Sequence, residues 1–312
     1  MADLSTDLCG LHLRNPILSA SGTFGHGLEM AQLVPSEALG GWVSKTVTLT
    51  PRPGNSMPRT QETEAGFLNS IGLENRGLEA YIQHTLPQAH GTYALVITNI
   101  GGHTEEEFAT AAARLDEYPE VQAIEVNLSC PNVDGGRLPY STDPATAERV
   151  MAGVRAATSK PIFAKLSANV TRIEDIAVAA EAGGADGLTV INTLLGMGVD
   201  WRRGAPHLGT VVGGYSGTGI KPVALRCAWQ VSQAVSIPVV GCGGISDAED
   251  VLQFLAVGCT AVQVGTSSFS NPARLASLAQ ELSECLDAEG VATSAEVTGR
   301  LAQSLRGEAK KP

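Results

Sequence analysis

Ala123-Ile124-Glu125-Val126-Asn127-Leu128-Ser129-Cys130-Pro131-Asn132 begins as an apolar run and stops abruptly in amides, a hydroxyl, a thiol and a proline. A buried strand that delivers chemistry at its end reads this way. Side chains of these types, held together, can orient a flat polar ligand and exchange a proton with it. Turn chemistry alone also explains Pro131 and Asn132, with Cys130 then a small buried hydrophobe. The rest of the chain has to separate the two readings.

Short β-rich apolar runs recur along the chain with helical stretches between them, the pattern of a parallel sheet made from β-α units. About eight are visible: Pro16 to Ala20, Trp42 to Thr46, Ala94 to Asn99, Ala123 to Leu128, Ile162 to Leu166, Gly187 to Asn192, Val239 to Gly241 and Ala261 to Gly265. Helices are predicted over Thr104 to Tyr118, with Thr104 and Glu107 as a capping box, and from Asp143-Pro144 onward, with Asp as cap and Pro in the first turn. Arg172 to Ala182 runs into Gly183-Gly184, a helix stop. Pro222 to Val235, Ala248 to Ala256 and Pro272 to Leu286 carry helical spacing of Leu, Val and Ala. The fold class this implies is α/β, a TIM (β/α)8 barrel. A doubly wound open sheet is the rival, but no Gly-x-Gly-x-x-Gly opens the first unit.

The 312 residues exceed the roughly 250 of a typical barrel. Two insertions at strand ends account for the excess, Val47 to Arg76 and Thr193 to Gly219, and long loops of this kind are usually lids or binding loops. No linker or low-complexity block interrupts residues 1–312, which read as one domain. Hydrophobic residues make up 43% and charged residues 17%, with no apolar run near the ~18 residues of a membrane span. The start, Met1-Ala2-Asp3-Leu4-Ser5, lacks the features of a secretion signal, so a cytoplasmic protein is expected. A net charge of -11 argues against nucleic acid or anionic membrane as a general partner. The cysteines at 9, 130, 227, 242, 259 and 285 form no metal-ligand spacing, so neither disulfides, a metal site nor an iron-sulfur cluster is expected on this chain.

In a barrel the strand ends meet at one rim. That rim would carry Ser21, Lys45, Thr46, Asn99, Asn127, Cys130, Lys165, Asn192 and Thr193. Lys45 and Lys165 sit in apolar runs, where a cation is costly without an anionic partner. A structural salt bridge is the ordinary explanation for either lysine alone, whereas two at one rim suggest a bound anion or an electron-rich cofactor. The last two strands end in Gly241-Cys242-Gly243-Gly244-Ile245-Ser246 and Gly265-Thr266-Ser267-Ser268. Barrels commonly bind phosphate between these two loops, where glycine permits close approach and backbone N–H groups face the anion. A phosphorylated cofactor with a polar ring fits this set. FMN suits it well, and pyridoxal phosphate would also use a strand-end lysine. Cys130 then reads as a general base, its reference pKa of about 8.5 lying near neutrality.

Three stretches together carry a family resemblance: Asn127 to Asn132, Lys45-Thr46-Val47-Thr48-Leu49-Thr50-Pro51-Arg52-Pro53-Gly54-Asn55, and Asn69-Ser70-Ile71-Gly72-Leu73-Glu74-Asn75. They resemble the class 1 dihydroorotate dehydrogenases, and Lys45 to Thr48 with Glu62-Thr63 ahead of Gly66 to Asn69 looks most like the class 1B catalytic subunit. The similarity runs from about Leu8 to Pro272. It implies an FMN-bearing TIM barrel that oxidises (S)-dihydroorotate to orotate in pyrimidine synthesis. Cys130 would take the C5 proton while hydride leaves C6 for the flavin. Substrate would be held by Lys45, Asn69, Ser70, Ile71, Gly72, Leu73, Asn127, Asn192 and Thr193. Flavin would contact Ala20, Ser21, Lys45, Thr46, Asn99, Asn127, Lys165, Ile191, Gly217, Gly243, Gly244, Gly265 and Thr266. Around Gly217 the loop reads Ser216-Gly217-Thr218-Gly219, where relatives often have Pro-Ala in place of Thr218-Gly219. The resemblance further implies a partner subunit carrying FAD and a [2Fe-2S] cluster that reduces NAD, in a heterotetramer of two catalytic and two electron-transfer chains. Class 1A enzymes, which use fumarate, and dihydropyrimidine dehydrogenase-like flavin domains share the fold and a cysteine.

Overall fold

Parallel strands cannot be joined by tight turns, so each apolar run here needs a crossover, usually a helix. The structure, a computed structural model, describes residues 1–26, 28–128 and 140–307. The strands of the main sheet are β1 (Ile17–Ser19), β2 (Trp42–Val43), β3 (Val96–Gly101), β4 (Ala123–Asn127), β5 (Ile162–Leu166), β6 (Gly187–Val190), β7 (Val239–Cys242) and β8 (Ala261–Val264). They follow one another in the order β1-β8-β7-β6-β5-β4-β3-β2, all parallel. A parallel bridge between Leu18 and Gly41 closes the ring. Ser19 N–H donates to Gly41 O there, and Val43 N–H donates to the Ser19 hydroxyl. The expected TIM barrel is therefore the fold.

Every strand predicted from the apolar runs is present. The largest departure is β2, which ends at Val43 rather than Thr46 because the Ser44 hydroxyl takes the Asn99 N–H in place of a ladder bond. Pairing with β3 resumes at Val47–Thr48. Helix ends follow their caps. Thr104 accepts from Glu107 N–H and Asp143 from Thr146 N–H. The reciprocal half of the first box is displaced by one residue, since the Glu107 carboxylate accepts from His103 N–H and not from Thr104.

Strand alternation divides the core in two. Outward-facing Ile124, Val126, Ala164, Leu166, Val262 and Val264 pack in the large cluster beneath the helices. Inward-facing Leu18, Val43, Ile97, Ala123, Phe163, Val240 and Ala261 form a second cluster with Leu8 and Leu13. Those two leucines come from the antiparallel hairpin Thr6–Leu8/Leu11–Leu13, which plugs the N-terminal end of the barrel.

The two insertions are one structure. Gly66–Asn69 of the first pairs antiparallel with Val212–Ser216 of the second, and Thr60–Thr63 and Leu194–Met197 complete a four-stranded sheet. Because the insertions leave the C-terminal ends of β2 and β6, this sheet stands over the mouth of the barrel.

The plug generates a stability prediction. Leu13 is fully buried, and Leu13→Ala should cost about 2–5 kcal/mol by denaturant unfolding. A loss under about 0.5 kcal/mol, the range of surface substitutions, would contradict this role for the hairpin.

Candidate active site

The alternation that turns Ala123 inward also turns Glu125 and Asn127 inward, and likewise Phe163 then Lys165, Ile97 then Asn99, and Ala261 then Gln263. The layer above the apolar plug is consequently polar. Asn99, Glu125 and Thr189 are fully buried, Gln263 is 2% exposed and Lys165 5%. Glu125 Oε1 accepts from Asn99 Nδ2 at 2.6 Å and from Lys165 Nζ at 3.5 Å. Glu125 Oε2 accepts from Thr189 Oγ1 at 2.7 Å and from Gln263 Nε2. Lys165 Nζ also donates to Gln263 Oε1 at 3.0 Å. Burial works against the lysine charge, but the Glu125 carboxylate and Cys242 outweigh it and hold the ammonium above its ordinary range.

Above this floor lies a cavity of about 1040 Å³. All the substrate and flavin contacts expected from the sequence border it except Cys130, which lies with 129–139 outside the described residues. Ala20 and Ser21 come from the end of β1, Lys45 and Thr46 follow β2, and Ile191, Asn192 and Thr193 follow β6. Asn127 Nδ2 donates to Thr46 Oγ1 at 3.4 Å, and Asn192 Nδ2 donates to Asn127 Oδ1 at 3.3 Å. Asn69, Ser70, Ile71, Gly72 and Leu73 form the cap side. There Asn69 Nδ2 donates to Gly214 O at 3.3 Å and ties the two insertions together.

The two lysines read as equivalents in the sequence behave differently. Lys165 has a carboxylate partner inside the barrel, so the salt bridge considered for a lone lysine is real for this one. Lys45 lies beyond the end of β2, is only partly buried and donates to the Glu74 carbonyl oxygen. Its ammonium is pushed below the ordinary range by burial, which the nearby Glu74 opposes and Arg59 reinforces. It is the more adaptable cation of the pair.

The glycine loops sit at the β7–β8 side of the cavity. Gly244 has φ +78°, and a Cβ there would lie 2.6 Å from Lys221 Cβ. Behind it Asp250 accepts from Lys221 Nζ and from both the N–H and the hydroxyl of Ser246, fixing this loop to the start of helix Lys221–Ala234. Burial raises the Asp250 carboxyl, and these bonds together outweigh it and keep it below its usual range. Gly217, with φ +105°, is required by the cap: a Cβ would lie 2.5 Å from Gly66 Cα. Thr266 Oγ1 donates to Ser216 Oγ at 2.8 Å, linking the last loop to the cap.

These residues fit FMN. Four residues bordering the cavity carry a buried polar atom with no partner among the described residues: Thr63 Oγ1 and Ser70 Oγ in the first insertion, Asn99 Oδ1 on the floor and Ser267 Oγ just beyond β8. Buried polar atoms are normally satisfied, so each calls for a ligand group. Gly243, Gly244 and Gly265, which also border the cavity and have no side chains, leave room for a phosphate to approach the backbone.

Sequence reading missed Glu125, Thr189 and Gln263. Glu125 had a usable signal, since a carboxylate in a buried strand raises the same question as a buried lysine. Asn169, which donates to Thr193 O at 3.1 Å and accepts from Leu195 N–H, was also missed and had no distinguishing context.

For Gly244→Ala, relief of the clash and of about 1–3 kcal/mol of backbone strain should move the loop out of register. The expected result is a rise in Kd for FMN of about tenfold or more in a titration of the deflavinated protein. An unchanged Kd would remove the loop from the cofactor site.

A family profile described as "Dihydroorotate dehydrogenase" matches residues 3–286. Proteins described as "Dihydroorotate dehydrogenase B (NAD(+)), catalytic subunit" from Trichlorobacter lovleyi and Pelobacter propionicus are 49% and 48% identical to the chain. Each alignment covers 96% of this chain and 98% of the relative. Among solved structures, the crystal structure of DHODH from Eimeria tenella in complex with ferulenol superposes with a TM-score of 0.81. It covers 96% of this chain and 89% of that one, and at 21% identity this is a likeness of fold. Among the described residues, no helix is long and apolar enough to cross a membrane, and no cluster of His, Cys, Asp or Glu could hold a metal ion. Matched by the profile over most of its length and sharing nearly half its residues with full-length relatives, the chain belongs to the dihydroorotate dehydrogenase family.

Proposed function

We propose that this chain is the FMN-bearing catalytic subunit of a class 1B dihydroorotate dehydrogenase, which oxidises (S)-dihydroorotate to orotate in pyrimidine biosynthesis. The observation that carries this reading is the convergence of Lys45, Asn69, Asn127 and Asn192 on one cavity that has a charged floor and a glycine-lined end. Relatives sharing 46–49% of its residues are described as NAD(+)-linked catalytic subunits, which supports the same activity here.

FMN, when bound, supplies the hydride acceptor. The chain's own residues do the rest. Gly243, Gly244 and Gly265 would leave room for the phosphate, while Lys165 and Asn99 would meet the polar edge of the ring. Ala20, Ser21, Thr46, Ile191, Gly217 and Thr266, which border the same cavity, would line the remainder of the cofactor. Lys45 would neutralise the substrate carboxylate, and Asn69, Asn127 and Asn192 would hydrogen-bond its ring amides and carbonyls, with Ser70 to Leu73 and Thr193 closing around them. The cap sheet excludes water from the reacting face, which strengthens these contacts. Cys130, which follows β4 in the chain, acts as the base at substrate C5. The electrons leave through a partner subunit with FAD and a [2Fe-2S] cluster to NAD, in a heterotetramer in the cytoplasm. None of the six cysteines of this chain is needed for that cluster.

Anaerobic addition of dihydroorotate to the purified chain should bleach its flavin. Steady turnover with NAD should then require the added FAD/iron-sulfur subunit, and fumarate should be a poor acceptor. A colourless protein that takes up no FMN would exclude the flavin reading, and rapid turnover with fumarate by the chain alone would exclude class 1B. Cys130→Ser should lower turnover near neutral pH by about 10²–10⁴-fold with FMN still bound, since a hydroxyl is a far weaker base than a thiol. Wild-type turnover in that variant would remove the base assignment.

A further inference from the structure

Five strands of the barrel meet at one carboxylate. Glu125 on β4 takes hydrogen bonds from Asn99 on β3, Lys165 on β5, Thr189 on β6 and Gln263 on β8. An ionised carboxylate can only accept. Each amide around it is therefore forced into one orientation. Asn99 must give its NH2 to Glu125, which turns Oδ1 away; that oxygen is buried, lacks a partner among the described residues and belongs to a residue bordering the cavity. Gln263 must also give its NH2 to Glu125, which leaves its carbonyl oxygen to accept from Lys165. The Lys165 ammonium has three N–H bonds. Glu125 and Gln263 take two, and the remaining one belongs to a side chain that also borders the cavity.

We propose that Glu125 is a positioning residue for the cofactor: by accepting from four strands it fixes Lys165 as a donor and Asn99 as an acceptor on the cavity floor. The inference rests on the flavin reading above. The pyrimidine edge of a flavin carries carbonyl acceptors beside an imide N–H, the complement of a floor with one donor and one acceptor. A neutral amide at position 125 could not impose this pattern, because it donates as well as accepts and lets its neighbours flip. It would also leave the Lys165 charge without its carboxylate counter-ion, so that burial would act on the ammonium with only Cys242 opposing it. The consequence is a floor whose donor is lost as pH rises.

The test is Glu125→Gln in the full chain, with FMN affinity and flavin midpoint potential measured across pH beside the wild type. Circular dichroism confirms the fold. Kd for FMN should rise about tenfold or more. At alkaline pH the variant should lose about tenfold in its preference for reduced over oxidised flavin, about 30 mV downward for a two-electron couple. The deficit should close at mildly acidic pH as Lys165 regains its proton. A folded variant with wild-type affinity and potential at every pH overturns the proposal while leaving the flavin reading intact; a wild type that takes up no FMN overturns both. Should the variant not fold, the wild-type holoprotein decides through its Lys165 ammonium NMR signal, assigned by its loss in Lys165→Met. Protonation persisting above the ordinary lysine range supports the proposal, and a neutral Lys165 near neutral pH overturns it.

Discussion

An ammonium and a carboxylate buried together inside a ring of strands constrain everything built above them. Desolvating each ion costs several kcal/mol, and leaving either one alone costs about 3–5 kcal/mol. The Glu125–Lys165 pair therefore persists because the remaining valences of the carboxylate are filled by Asn99, Thr189 and Gln263. Below it the barrel is closed by Leu8, Leu13 and Phe163, which offer no polar contact. Among the described residues, Asn99 Oδ1 has no partner and Lys165 has one N–H beyond those given to Glu125 and Gln263, and both residues border the cavity. A polar ring placed there meets dipoles already oriented, which is the condition for electrostatic preorganisation.

The mouth of the barrel is organised by a second constraint, the pairing of the two insertions. Each alone is a polar, glycine-rich loop; joined as one sheet, they satisfy each other's backbone groups and bring Asn69 to the cavity that Asn127 and Asn192 also border. Gly217 belongs to this arrangement as much as to the cofactor site, since the close approach of Gly66 leaves no room for a side chain. The phosphate-type loop is stiffened separately by Asp250, which binds Lys221 and Ser246. Floor, cap and glycine loop are thus each fixed by bonds of their own before any ligand arrives. That lowers the ordering cost of binding.

The barrel was legible because its strands are local apolar runs and its helices carry their own caps and stops. Thr104, Asp143 and the Gly183-Gly184 pair act where the sequence says they should. The end of β2 was not legible, because a serine hydroxyl there replaces a ladder bond and no local pattern announces that substitution. Pairing between the insertions was invisible for a related reason: Asn69 and Gly214 are 145 positions apart, and cross-strand partners at that distance leave no mark on either segment. Glu125 lies inside an otherwise apolar run, where a carboxylate needs a partner for the same reason that Lys165 does. The rim residues converged as expected, because strand ends of a barrel meet regardless of their separation in the chain. Cys130, the proposed base, lies outside the described residues, and its role rests on its place after β4 and on the family.

The central claim is that the cavity is an FMN site, with the phosphate at the glycine loops and the polar ring edge over Lys165 and Asn99. Calorimetric titration of the deflavinated chain with FMN and with riboflavin tests it most directly. FMN should bind at a single site, with riboflavin weaker by about a hundredfold or more for want of the phosphate, a difference of about 3 kcal/mol. Equal affinity for the two, or no binding of FMN, would contradict the account.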